Sequence, residues 1–339
     1  TLESGMDRPW GHAWLPDGGL LITERGGNLW HVPELGNPRI DVDGVPDVFA
    51  DGQGGLLDVA LHPSFAENRY IYLAFASGTR AANRTRVWRY RFTGSRLSEG
   101  TEVFAVNADK SGNQHFGSRL LFLPDGTLLI SVGDGGNPPL RFQGGLQREQ
   151  AQNAETLFGN VVRIADDGGI PGDNPFLGEP GTRPEFFTTG HRNVQGLARD
   201  AATGLIWVSE HGSRGGDELN RLVPGENYGW PLVSHSREYV RGTPVSENQS
   251  LPGYEDPAMV WMETIAPSGL AAMDGVLYAG GLVSQAVHVV RTDDSGAYLS
   301  QAVIPIGARV RDVRIAPDGS LSVLTDEAGT GRLLRVVLP

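Results

Sequence analysis

Asn113-Gln-His-Phe-Gly-Ser-Arg-Leu-Leu-Phe-Leu-Pro-Asp-Gly-Thr-Leu-Leu-Ile-Ser-Val-Gly-Asp-Gly-Gly136 is the stretch whose reading decides the fold. An apolar run, Leu120 to Leu123, meets Pro124-Asp125-Gly126, and a second run, Leu128 to Val132, leaves it. Pro presets φ, Asp bonds its own backbone and Gly supplies positive φ, so the sequence predicts a turn between two strands. Folding the arms together and counting outward from the turn brings His115 close to Asp134. A histidine beside a carboxylate is an oriented base.

The hairpin recurs. Trp14 to Glu24 turns through Pro16-Asp17-Gly18, and Val59 to Phe75 turns through Glu67-Asn68. The stretch above is the third copy. Gly196 to Glu210, Gly269 to Gly280 through Asp274-Gly275, and Val313 to Asp326 through Pro317-Asp318-Gly319 are the others. Six copies at intervals of roughly 45–75 residues predict radial β-repetition. The expected fold class is all-β, a six-bladed β-propeller of four-stranded antiparallel blades. Leu333 to Leu338 is expected to pair with the N-terminal segment and close the ring. No linker or change of composition divides the chain, so residues 1–339 are expected to form a single propeller domain.

Composition agrees. The 339 residues include 47 Gly and 22 Pro, and no sustained 3.6-residue periodicity stands out. No run of 18 apolar residues exists, so no membrane-spanning helix is expected. The net charge of −12 disfavours nucleic acid and anionic lipid as partners. The absence of cysteine excludes disulfides, thiolate zinc sites and thiol nucleophiles. Lys110 is the only lysine, and the sequence places it in a polar loop. Residues 137–158 read as a polar, Gln-rich insertion with room for a short helix, and 234–260 as a long loop.

The same fold-back count can be made in every copy. Arg192-Asn193 falls opposite His211-Gly212, Arg309 and Arg311 beside Asp326, and Ala266-Pro267 beside Gly281-Leu282. Gln53 begins the second incoming arm. In a propeller these ends converge on one face around the axis, a site assembled from all blades. Each piece also has a plain structural explanation. A lone strand-end histidine is usually structural, and surface arginines are common in a lysine-poor chain. Arg192, Arg309, Arg311 and Asp326 on one rim need more, and guanidinium forks match a polyanionic ligand. The turn from Gly212 to Glu218 lacks EF-hand spacing. Its carbonyls with Glu218 could ligate Ca²⁺, although on spacing alone an ordinary acidic turn is the better reading.

Taken together, the motifs resemble the soluble pyrroloquinoline quinone (PQQ) dependent aldose sugar dehydrogenases of the glucose/sorbosone dehydrogenase family, over nearly the whole chain. They are Gln53-Gly-Gly-Leu-Leu-Asp58, His115-Phe-Gly-Ser-Arg119, Gly133-Asp134, Gly190-His-Arg-Asn-Val-Gln-Gly196, Glu210-His-Gly-Ser-Arg-Gly-Gly-Asp-Glu218, Asn227-Tyr-Gly-Trp-Pro231, Ala266-Pro267-Ser268, and Arg309-Val-Arg-Asp312 with Leu324-Thr-Asp326. The family fold is a six-bladed propeller. The resemblance implies oxidation of an aldose at C1 to a lactone, with proton abstraction by His115, oriented by Asp134, and hydride transfer to C5 of PQQ. It implies that Gln53, Arg192, Asn193, Tyr239, Arg309, Arg311 and Asp326 hold the quinone, with the backbone of Ala266, Pro267 and Ser268 lining the pocket. It implies Ca²⁺ against PQQ at the Gly212 and Ser213 carbonyls, polarising the quinone, and a second, structural Ca²⁺ at Glu218 and the Tyr228 carbonyl.

Three positions depart from the pattern. Val283 stands near where relatives place a lysine against PQQ. Gln114 stands where a relative has Asp, and no matching Gln follows Gly136. The expected partners are an aldose and an unidentified electron acceptor. A periplasmic or secreted monomer is expected; no signal peptide is visible at Thr1, but the chain lacks an initiator Met, as a processed form would. The alternatives are a Ca²⁺-dependent lactonase propeller, with an axial metal and no need of an arginine cluster, and a non-catalytic binding propeller.

Overall fold

A computed structural model describes residues 1–338. Six four-stranded antiparallel sheets stand around a central axis. The first blade holds Pro9–Trp14, Leu20–Glu24, Leu29–Val32 and Ile40–Asp41. The quoted hairpin forms the inner half of the third blade, with Leu120 opposite Ile130 and Phe122 opposite Leu128. Its turn closes as the sequence predicts, Gly126 N donating to Leu123 O at 3.0 Å. The last blade is completed by both ends of the chain. Glu3–Met6 pairs with Gly331–Val336 as its outermost strand. That closure lets no blade slip away without breaking inter-strand hydrogen bonds.

The strands are apolar on both faces because each blade is packed on both sides. Leu128 and Ile130 face the second blade's Tyr72 and Val87, whereas Leu129 and Val161 face the fourth blade's Leu197 and Val208. Six such inter-blade cores run round the ring, the last joining Leu20, Ile22 and Val32 to Leu324 and Leu333. Burying each Leu or Val contributes about 1.5–3 kcal/mol.

Two expectations change in detail. The second hairpin turns through a one-turn helix, Phe65–Asn68, and the insertion forms a small hairpin, Arg141–Phe142 with Gly145–Leu146, followed by a 3₁₀ helix, Gln147–Gln152. Lys110 lies in the polar loop that the sequence predicts, but it is buried there. It is 3% exposed, held by paired backbone hydrogen bonds with Asn83.

Candidate active site

The rim of the propeller is built from the segments that lead into the innermost strands. Gln53 Oε1 accepts from the His115 backbone N–H at 2.8 Å, and Asn193 Oδ1 accepts from Gly117 N–H at 3.2 Å, so side chains of two other blades fix the segment carrying the histidine. His115 itself sits at φ +48°, a conformation that non-glycine residues adopt only where the surroundings enforce it. Gly133 explains how the second arm comes so near: a Cβ there would lie 2.2 Å from His115 O.

His115 Nδ1 is 2.6 Å from Asp134 Oδ1. The carboxylate also accepts from Gly136 N–H at 3.0 Å and Trp230 Nε1–H at 2.8 Å. With the Nδ1 proton donated to the Asp134 carboxylate as its third donor, the ring's lone pair lies on Nε2. Burial, then the Arg192 charge, push His115 below the ordinary histidine range against the pull of Asp134. Asn137 closes over this nitrogen, its Nδ2 3.3 Å from His115 Nε2 and its Oδ1 accepting from Arg192 Nη2 at 2.7 Å.

Beside the dyad is a cavity of about 200 Å³ whose lining includes Gln53, Asn193, His211, Ala266, Arg309, Arg311 and Asp326, together with Trp10, Arg25, Gln195 and Val283. Arg311 Nη2 bonds Asp326 Oδ2 at 2.9 Å and Arg309 Nη2 lies 3.5 Å from the same oxygen. Arg25 donates only to the carbonyls of Gly52 and Gly54. Three guanidiniums thus face one carboxylate. Burial, then repulsion from Arg311, lower the Arg25 pKa, while burial is outweighed at Asp326 by Arg311, which holds that carboxyl below its usual range. The buried Nε atoms of Arg192 and Arg311 have no hydrogen-bond partner among the described residues. Donors exceed acceptors, the condition a polyanion would relieve.

A second, small cavity is lined by Gly190, Glu210, Gly212, Glu218 and Tyr228 among others. Glu210 and Glu218 are cross-strand neighbours. Burial, then the charge of Glu210, push the Glu218 carboxyl upward. Two carboxylates forced together invite a cation, although no cluster of three or more His, Cys, Asp or Glu side chains gathers among the described residues. Backbone carbonyls would have to complete any hard-cation shell.

Four of the predicted cofactor and metal residues, Tyr239, Pro267, Ser268 and Ser213, line neither of these cavities, and Arg192 lines the second rather than the first. Tyr239 is 51% exposed and lines a separate outer groove with Asn137, Pro138, Arg148 and Glu238; its hydroxyl reaches Arg192 Nη2 only at 3.5 Å. Ser268 is fully buried with Oγ donating to Val310 O at 2.7 Å, and Ser213 lines neither cavity. The sequence reading missed Arg25 and Asn137 and gave no role to Trp230 or to His211, although it placed His211 on the rim opposite Arg192. His211 Nε2 donates to Pro267 O at 2.7 Å, and burial, then Arg192, pull its pKa down to about 3. For Asn137 there was a signal: it follows the Gly-Asp-Gly-Gly turn that carries Asp134.

A family model described as Glucose / Sorbosone dehydrogenase matches residues 6–335. The chain belongs to this family. It is 49% identical to an uncharacterized protein of Synechocystis sp., with 98% of this chain and 84% of that one covered. It is 38% identical to an aldose sugar dehydrogenase of Escherichia coli K12, covering 99% of this chain and 91% of that one. Among solved structures, the PQQ-bound aldose sugar dehydrogenase of Streptomyces coelicolor superposes with a TM-score of 0.80 at 29% identity, covering 99% and 95% of the two chains.

Proposed function

We propose that the chain is a PQQ-dependent aldose dehydrogenase that oxidises C1 of the sugar to a lactone. The observation that carries this reading is the arginine-rich cavity beside the oriented His115–Asp134 pair, in a chain 38% identical to an aldose sugar dehydrogenase. Bound in that cavity, PQQ would supply the two-electron hydride acceptor, with Ca²⁺ as a Lewis acid beside it.

The chain's own residues do the rest. Arg25, Arg309, Arg311 and Arg192 offer the guanidiniums for the carboxylates of the cofactor, and Gln53 and Asn193 hold the wall. The Gly212 and Ser213 carbonyls would hold the cation, and Glu218 with the Tyr228 carbonyl a structural one. His115 Nε2 takes the proton of the C1 hydroxyl as the C1 hydride leaves, and Asp134 stabilises the imidazolium that forms. Asn137 must release Nε2 for the sugar hydroxyl to reach it. A lactonase would need free carboxylates on the axis, but Asp58 and Asp312 are both engaged by Arg119 and Arg314.

Adding PQQ with Ca²⁺ to the apoprotein is expected to give aldose-dependent dye reduction, and Ca²⁺ is expected to tighten PQQ and to raise the unfolding free energy by about 2.7 kcal/mol at a hundred times its Kd, and with it the melting temperature. PQQ binding and melting unchanged by exhaustive chelation would remove the metal from the reading. The same reading makes the enzyme a periplasmic or secreted monomer of one domain, tested by fractionation and light scattering. No helix among the described residues is long and apolar enough to cross a membrane.

A further inference from the structure

The chain's single lysine is buried beside the catalytic pair. Lys110 and Asn83 exchange backbone hydrogen bonds of 2.9 Å in both directions, which fixes the residue against the second blade. Its side chain runs to the turn that follows Asp134: a Cβ on Gly135 would stand 2.8 Å from Lys110 Cδ and 2.8 Å from Gln147 Cδ. The ammonium lies 4.0 Å from the centroid of the Phe116 ring, one residue beyond His115, and Nζ has no hydrogen-bond partner among the described residues.

The other charges nearby are committed. Asp109 is turned to Arg84, and Arg148, next to Gln147, pairs with Glu238 at 2.8 Å. Asn83 and Gln147 contribute neutral amides. Asp134 and His115 are therefore the ionisable groups that face Lys110. A buried amine with no hydrogen bond is expensive, and an apolar side chain would fill the space at lower cost. Its position calls for another explanation.

We propose that Lys110 is a positioning residue of the catalytic pair, whose charge beside Asp134 sets how strongly His115 holds a proton. The proposal rests on the reading of His115 as the base. Burial pulls Lys110 down to about 7, with Asp134 opposing. Below that pH the ammonium and Arg192 both oppose an imidazolium on His115, as the lowered His115 pKa reflects. Above it the amine is neutral, one opposing charge is gone, and His115 becomes the stronger base. A stronger base abstracts the C1 hydroxyl proton faster.

Reduction of the PQQ-loaded, Ca²⁺-bound enzyme by excess aldose, followed by stopped flow across pH, should therefore rise in two steps. The lower is the discharge of His115 and the upper, near 7, that of Lys110. Lys110→Met should show one step, at higher pH than the lower step of the wild type. Lys110→Arg keeps a fixed charge and should retain the lower step and lose the upper. A purely structural role would change rates without moving either step, so unmoved steps in Lys110→Met overturn the proposal. The single lysine gives a second measurement that needs no variant to fold. In ¹³Cε-lysine-labelled protein its one signal should titrate near neutrality, and lower still in Asp134→Asn. A midpoint near the ordinary lysine value of about 10.4 overturns the proposal. Should His115→Ala reduce its bound quinone at the wild-type rate, the base reading falls and takes the proposal with it. A moved lysine midpoint with unmoved steps would sink the proposal alone.

Discussion

Two charged clusters share Trp10 as a wall, and they are built in opposite ways. On the axis, Arg119 Nη1 reaches Asp312 at 2.9 Å and Asp58 at 3.3 Å, Arg314 bonds both carboxylates, and Arg119 Nε donates to Gln195 O. Two cations meet two anions, and Arg119 and both carboxylates are at most 1% exposed. Burial alone would raise the Asp312 carboxyl, but Arg119 and Arg314 override it and hold it far below its usual range. At the rim, three arginines face Asp326 across an open cavity. The guanidinium of Arg119 is 4.2 Å from the centre of the Trp10 ring and that of Arg311 is 6.0 Å. The balanced cluster pairs its charges across blades, although Arg119 Nη2 has no hydrogen-bond partner among the described residues. The unbalanced one has more guanidiniums than carboxylates, the arrangement that suits an anionic ligand.

Removing a charge should therefore hurt different properties in the two places. Arg119→Met leaves buried carboxylates short of a partner, and a loss of roughly 3–5 kcal/mol of unfolding free energy is expected, read by urea denaturation. An equally stable variant would mean that the axis cluster is solvated and that the contrast fails. At the rim the largest effect should be kinetic. His115→Ala should still bind PQQ, while stopped-flow reduction of the bound quinone by aldose falls by about 10²–10⁴-fold, the usual worth of a positioned base. Asp134→Asn should lose less in the same direction.

The rim pairs were legible in the sequence because they are local. His115 and Asp134 are 19 residues apart and Arg311 and Asp326 15, each joined by one hairpin whose turn residues set the register. The axis cluster was not legible in the same way, since Arg119 and Asp312 are 193 residues apart and Arg314 and Asp58 256. Ring closure brings them together, and no hairpin count reaches across blades. A weaker signal exists: Asp58 and Asp312 are each the third residue of an innermost strand, Leu56–Leu61 and Val310–Ile315, where a buried carboxylate must find a partner. The burial of Lys110 was not legible for a related reason. Its own segment is polar, and what buries it comes from the second blade and from the insertion.

Arg311→Ala is the rim counterpart of the Arg119 variant. It should weaken PQQ binding by roughly 2–4 kcal/mol, as for a desolvated charge pair losing one partner. It should destabilise the apoprotein less than Arg119→Met, because Arg309 remains 3.5 Å from Asp326. Isothermal titration with PQQ and urea denaturation of the same sample separate the two quantities. Equal losses of PQQ affinity and sugar KM would place Arg311 in the sugar subsite instead.

Tyr239→Phe should have the smallest effect, and it tests where the rim cluster ends. The family resemblance puts Tyr239 among the cofactor ligands, whereas its ring lines the outer groove and its hydroxyl is 3.5 Å from Arg192 Nη2. A half-exposed hydrogen bond from the Arg192 guanidinium, stretched to that distance, is worth about 1 kcal/mol, or roughly fivefold in Kd. If Tyr239 only flanks the site, PQQ affinity in Tyr239→Phe stays within that limit. Arg192 then keeps its contacts with Asn137 and His211 O, which do not involve the tyrosine. A loss above tenfold would mean that the 234–260 loop swings over the cavity when the cofactor binds. Tyr239 would then belong with the arginines, and the boundary of the unbalanced cluster would include a loop that this structure leaves on the outside.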